Sequence, residues 1–130
     1  MSVPSTATFY RRYISCLNDR RIHELVEFVN EELSYNGKSM RRVEYENLLA
    51  GDFAAIPDLY FDIHLLVVDE DQIACRLNFV CAPQSTFLGL LPNGKTISFS
   101  EHVFYRLSNG KISEVWSLID RSAVEQQFAS

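Results

Sequence analysis

Long apolar runs are missing from this sequence. No stretch approaches the roughly 20 residues that cross a bilayer, and Met1 to Thr8 carry no apolar signal core. We therefore expect a soluble, cytoplasmic chain with no membrane partner. Basic charge is also in short supply: 12 Lys and Arg against 17 Asp and Glu leave a net charge of −5. Phosphate contacts need a basic stripe, so nucleic acid is a poor partner. Cysteine is scarce and odd in number, with Cys16, Cys75 and Cys81 and no Cys-x-x-Cys pair. On one strand Cys75 and Cys81 would stand about 20 Å apart at ~3.3 Å per residue, too far to bridge. Buried free thiols in a reducing compartment follow. The histidines His23, His64 and His102 lack metal-ligand spacing, so no metal site is expected. There is no glycine-rich phosphate loop and no Gly-x-Ser-x-Gly elbow.

Repeats, linkers and low-complexity segments are absent too, which makes residues 1–130 a single domain. At 47% hydrophobic and 22% charged, the chain suits one packed core and not a disordered segment. Its periodicity changes near the middle. Phe9, Tyr13, Cys16 and Leu17 share a helix face that opens near Pro4 and Ser5. After Asn18 and Asp19, the residues Ile22, Leu25, Val26 and Val29 give a second helical stripe. Asn36-Gly37 reads as a tight turn between short extended pieces. Ser39 can cap a third helix through Val43, Leu48 and Leu49 that Gly51 would end.

From Tyr60 onward the pattern is strand-like. Tyr60 to Val68 is β-rich, and Asp69-Glu70-Asp71 is a polar turn. Ile73, Cys75, Leu77, Phe79 and Cys81 alternate with more polar neighbours along the next strand. Pro83 to Gly94 is a loop, followed by strands over Thr96 to Leu107 and Lys111 to Ile119. Asn109-Gly110 between them is a strong hairpin signal. Ser122 and Glu125 make a capping box for a short last helix. Helices followed by an antiparallel meander define an α+β class, with helices on one face of a curved sheet and a cavity at its mouth.

The hairpin places specific side chains together. A two-residue turn sets Val103 opposite Trp116, Glu101 opposite Leu118 and Phe99 opposite Asp120. Phe99, Glu101, Tyr105, Trp116 and Asp120 would then share a face, with Glu101 and Asp120 as diagonal neighbours at about 7–8 Å. A glycine bulge at the turn would slip the register and bring His102 to the Trp116 and Asp120 face instead. In an apolar pocket Asp120 would have a raised pKa and could remove a proton from an acidic carbon. His102 or Glu101 could then orient it or stabilise an enolate. Equally, Asp120 stands where it could cap the last helix.

These residues resemble a known family. Asn109-Gly110-Lys111-Ile112 with Glu114, Trp116 and Asp120 is similar to the C-terminal signature of the SnoaL-like polyketide cyclases and ester cyclases. Phe87-Leu88-Gly89 and Pro92-Asn93-Gly94-Lys95 resemble that family's preceding loop, and Arg76 falls where many members carry an arginine. The likeness spans about Asp58 to Gln127. It implies the cone-shaped nuclear transport factor 2-like fold: a strongly curved, mostly antiparallel sheet packed on N-terminal helices around a pocket. It also implies ring closure by intramolecular aldol condensation without cofactor or metal, with Asp120 as acid and base and the substrate's own conjugation stabilising the enolate. Homodimers that pair through the exposed sheet face are common in the superfamily. Many ester-cyclase-like members have a histidine where this chain has Pro83, so that histidine's role is not carried over.

The candidate site is therefore Asp120, His102 and Glu101 for chemistry. Arg76, Phe87, Phe99, Tyr105 and Trp116 would contact a small, apolar, carbonyl-containing molecule. Arg76 could bind an anionic or carbonyl group, or instead form a buried ion pair with Glu101 or Asp62. His23 reads as a surface residue, and His64 with Asp62 as a solvated or dimer-facing pair. Arg11, Arg12, Arg20 and Arg21 read as a solvated basic face. A non-catalytic ligand-binding or dimeric interaction module on the same fold is the alternative reading.

Overall fold

The computed structural model describes residues 2–130; Met1, part of the stretch read for a leader, lies outside them. Helix α1 covers Val3–Asn18, and Ser2 caps it by accepting from the Ser5 amide. Its inward face buries Tyr10, Tyr13, Ile14 and Leu17. A 3-10 turn over Ile22–Glu27 follows, then β1 at Val29–Tyr35 and β2 at Lys38–Arg41. Helix α2 runs over Arg42–Ala55. Strands β3 (Asp62–Val68), β4 (Gln72–Cys81), β5 (Ile97–Ser108) and β6 (Lys111–Ile119) precede α3 at Arg121–Phe128.

Six strands form one sheet in the order β2-β1-β6-β5-β4-β3, antiparallel except where β1 runs parallel to β6. Register shifts interrupt β1/β6, β3/β4 and β5/β6. Each adds local twist and lets the sheet curl. The helices close over its inner face, where Ile73, Cys75, Leu77, Phe79 and Cys81 of β4 are all buried as their alternation required. Phe61, Phe79, Phe99 and Phe87 form a run of ring contacts at 5.3, 5.0 and 5.5 Å along this core. Cys16, Cys75 and Cys81 are buried and unbridged. Among the described residues no helix is long and apolar enough to cross a membrane.

Several local expectations are corrected. The second helical stripe is only the 3-10 turn: Val29 leaves it to begin β1, where pairing with β6 outweighs a weak helical pattern. Ser39 lies in β2 and does not cap α2, whose N-cap is Arg41 with Glu44 bonding back to the Arg41 amide at 3.0 Å. Gly51 does not end that helix, which continues to Ala55 ahead of Ile56 and Pro57. The cap of α3 is Asp120, not Ser122; its carboxylate accepts from the Ala123 amide at 3.2 Å. Arg20 lies over the Phe53 ring at 3.9 Å and donates to the Leu59 carbonyl at 2.7 Å, so part of the basic face serves packing.

The last hairpin combines the two expected registers: the two-residue turn holds at its tip, and beyond it the slip by one brings His102 to the face of Trp116 and Asp120. Asn109 and Gly110 have φ of 54° and 76°, the left-handed pair a two-residue turn needs, and Ser108 pairs Lys111. The slip occurs inside β6. Leu107 pairs Ile112 while Arg106 pairs Glu114, which leaves Ser113 as the extra residue. The Ser113 hydroxyl donates to the Arg106 carbonyl at 3.1 Å. Beyond it Tyr105 faces Val115, Phe104 faces Trp116, Val103 faces Ser117 and Glu101 faces Ile119.

Candidate active site

The bulge decides which side chains meet. Phe99, Glu101, Val103 and Tyr105 of β5 point inward with Val115 and Ser117 of β6. Trp116 and Asp120 therefore do not join the face of Phe99 and Glu101, as a regular hairpin would have required. Trp116 is half-exposed on the outer face, where its indole N–H donates to Glu114 at 2.6 Å. Asp120 is exposed, and with Arg76, Ser100, His102 and Arg121 it borders an outer hollow of about 360 Å³. Arg76 does not form the expected ion pair with Glu101 or Asp62. It extends from the outer face of β4 and donates to His102 Nε2 at 2.5 Å, with no carboxylate partner among the described residues. His23 and His64 are exposed.

Inside the cone lies a cavity of about 70 Å³. At about 30 Å³ per water in the liquid, that is room for roughly two. Of the expected site residues, Glu101, Phe87, Phe99 and Tyr105 line it. Asp52, Tyr13, Tyr35 and Tyr45 join them, and the sequence reading did not single these out. Tyr45, Leu48, Leu49 and Asp52 fall at i, i+3, i+4 and i+7 of α2, so a single helix face reaches the cavity. Leu48 and Asp52 line the cavity yet stay solvent-exposed, which marks its mouth. That helix-face signal was in the sequence; ending the helix at Gly51 hid Asp52.

The polar groups of the cavity have a definite arrangement. The Ser117 hydroxyl donates to Glu101 Oε2 across the β5/β6 pair. Asn36 fixes Ser117 in turn, accepting from its amide at 2.7 Å and donating to its carbonyl at 3.2 Å. The Tyr13 and Tyr45 hydroxyls lie 2.5 Å apart. Burial raises the Glu101 carboxyl above its usual range, opposed by the Ser117 bond and reinforced by the charge of Asp52. Desolvation against the cavity wall takes Asp52 up to about 6. Burial also pushes the Tyr13 and Tyr45 phenols up, so both keep their protons at neutral pH. No Arg, Lys or His is among the lining residues. Among the described residues no group of three His, Cys, Asp or Glu is placed to hold a metal ion.

A curved, mostly antiparallel sheet closed by helices over a cavity lined by two carboxylates defines a small-molecule protein of the cone-shaped α+β class. The family model for SnoaL-like polyketide cyclases matches residues 7–128, and the chain belongs to that family. A SnoaL-like polyketide cyclase from Agrobacterium tumefaciens is 41% identical, with a TM-score of 0.88 over 92% of this chain and 94% of its own. TsrD from Streptomyces laurentii is similar in fold at 17% identity, with a TM-score of 0.87 over 98% and 97% of the two chains. AclR from Streptomyces galilaeus, named a candidate hydroxylase, is 18% identical with a TM-score of 0.82 over 98% of each chain. A search among curated proteins finds no significant match.

Proposed function

We propose that this chain is an acid–base enzyme that works on a small, apolar carbonyl compound inside the cone, with Glu101 as the group that takes and returns the proton. Family membership supports cyclase- or isomerase-type activity on small molecules in general. The observation that carries the specific reading is Glu101 itself. Its carboxylate is held by Ser117 in an apolar cavity whose lining contains no basic side chain. A carboxylate raised by desolvation is a better base than a solvated one, and it can still release the proton.

The reaction uses side chains alone. Glu101 removes a proton from the carbon beside a carbonyl. The resulting enolate carbon attacks a second carbonyl in the same molecule and closes a ring. The new alkoxide takes the proton back from Glu101, so atoms and charge balance; returning the proton to carbon instead gives an isomerisation. Asp52 at the mouth raises the proton affinity of Glu101 through its charge. Phe87, Phe99 and Tyr105 supply the apolar wall. Asp120, His102 and Arg76 lie outside the cavity, so this reading moves the base from Asp120 to Glu101.

The test is deuterium exchange at the acidic carbon of ethyl acetoacetate and simple cyclic ketones, followed by NMR. Wild-type protein should accelerate exchange, and Glu101→Gln should remove the acceleration. Exchange that persists in Glu101→Gln overturns the assignment. Saturable binding with no exchange in the wild type would favour the ligand-binding module. The outer face supports a homodimer, since Leu65, Val67, Phe104 and Leu118 are each 58–72% exposed there. Light scattering that shows single chains at micromolar concentration would reject it. The buried free thiols support a reducing compartment, the cytoplasm.

A further inference from the structure

The tyrosine hydroxyls of the cavity have protons to spare. Tyr13 and Tyr45 hold two phenolic protons between them, and their 2.5 Å bond uses one. Among the described residues neither hydroxyl has another hydrogen-bond partner, so the second proton is free to face whatever enters. The Tyr105 oxygen accepts from Tyr10 at 3.4 Å, and its own proton likewise has no protein acceptor among them. All three rings line the same cavity as Glu101. The Ser117 hydroxyl is already committed to Glu101.

An enolate formed there carries negative charge on its oxygen, and the lining offers no cation to meet it. Neutral O–H donors are the remaining means of stabilising that charge, and they act most strongly where water is excluded. The two phenols are rigidly placed. Tyr13 sits at the centre of an aromatic cluster with Phe28 at 6.1 Å and Tyr105 at 5.9 Å, and Tyr45 packs on Tyr35 at 5.9 Å. Their contact joins α1 to α2, so both helices must be docked for the donor to exist.

We propose that the bonded hydroxyl pair of Tyr13 and Tyr45 is the oxyanion-binding group of this site: it hydrogen-bonds the substrate's carbonyl oxygen and holds the enolate that forms when Glu101 takes the proton. This rests on the reading of Glu101 as the base. It departs from the expectation carried by the family resemblance, in which the substrate's own conjugation stabilises the enolate. It also widens the substrate class to carbonyl compounds without extended conjugation, because the protein itself supplies the stabilisation.

Phenols of graded acidity serve as enolate mimics, and Glu101→Gln mimics the base after it has taken its proton. Binding of phenol, 4-cyanophenol and 4-nitrophenol to Glu101→Gln is measured by calorimetry and by phenolate absorbance. Affinity should rise with the acidity of the probe. Adding Tyr45→Phe or, separately, Tyr13→Phe should weaken 4-nitrophenolate about 10–100-fold, the range for a hydrogen bond to a charged group. Neutral phenol should lose much less. An affinity that ignores acidity, or that survives both tyrosine changes, overturns the proposal. Two variants guard against one that fails to fold.

Deuterium exchange separates this proposal from the reading beneath it. Exchange of cyclohexanone that needs Glu101 but keeps its wild-type rate in both tyrosine variants sinks the oxyanion role and leaves the base in place. Phenolate binding that depends on the tyrosines, in a protein with no exchange activity, supports the donor pair and removes the base.

Discussion

The two faces of β4, β5 and β6 carry similar side chains to opposite ends. The inner face sets Glu101 among Phe99, Val103 and Tyr105; the outer face sets His102 and Asp120 near Phe104 and Leu118. Both therefore place ionisable groups beside apolar ones. The inner face shields its carboxylate enough to raise its pKa, because α1 and α2 close over it. On the outer face Asp120 spends its carboxylate on a helix cap, and His102 accepts from Arg76. The comparison teaches that a reactive carboxylate is made by its cover and not by its apolar neighbours alone. A second copy of the chain on the outer face would change that balance.

The comparison can be broken most forcefully by activity. Glu101→Gln should lower deuterium exchange by about 10²–10⁴-fold, the range for a positioned acid or base. Asp120→Asn and His102→Gln should leave it within a factor of about two to three, the ordinary context scatter of a group outside the cavity. The reverse pattern would move the chemistry to the outer hollow. Packing gives the next largest contrast. Phe99 is 7% exposed and Phe104 is 58% exposed. Denaturant unfolding should show a loss of about 3–5 kcal/mol for Phe99→Ala. Phe104→Ala should cost under about 0.5 kcal/mol in the single chain. Equal losses would mean that the outer face is covered.

A smaller effect sharpens the comparison through pH. Asp52 is raised from 3.8 to about 6, so folding favours its protonated form. Its contribution is fully present below pH 3.8 and is lost as pH rises through about 6. Asp52→Asn removes that loss and should stabilise the protein above pH 6 while changing nothing at low pH. The full shift would be worth roughly 3 kcal/mol. Asp52 stands at an open mouth, so solvent screening brings the expected gain to about 1 kcal/mol. Thermal unfolding at the two pH extremes measures it; destabilisation at neutral pH would contradict the desolvated state.

How much of this was legible in the sequence depended on whether a feature was local. The β4 alternation from Ile73 to Cys81 and the Asn109-Gly110 turn are set by side-chain period and by positive φ, and both were read correctly. The family likeness at the C-terminal strands also led to the right fold. The Ser113 bulge was not read, because a regular count from the turn hides an extra residue in the strand. A signal existed: Ile112 and Val115 are both buried at an odd spacing, which a regular strand forbids. The slip was expected only as a bulge at the turn, so the sequence left open whether Glu101 or His102 shares the face of Trp116 and Asp120; the structure places His102 there. Tyr13, Tyr35, Tyr45 and Asp52 converge from α1, β1 and α2. The spacing along α2 puts Tyr45 and Asp52 on one face, but their meeting with Tyr13 and Tyr35 is a matter of tertiary packing that no spacing encodes.

The most direct measurement is the pH titration of the Glu101 side-chain carboxyl carbon by NMR, assigned with Glu101→Gln. A midpoint clearly above about 4.3, the value of an unperturbed glutamate, is the predicted result. The midpoint should fall when Asp52→Asn removes the neighbouring charge. A midpoint at or below that value would mean a solvated or ion-paired carboxylate, and the cavity would then have lost its base.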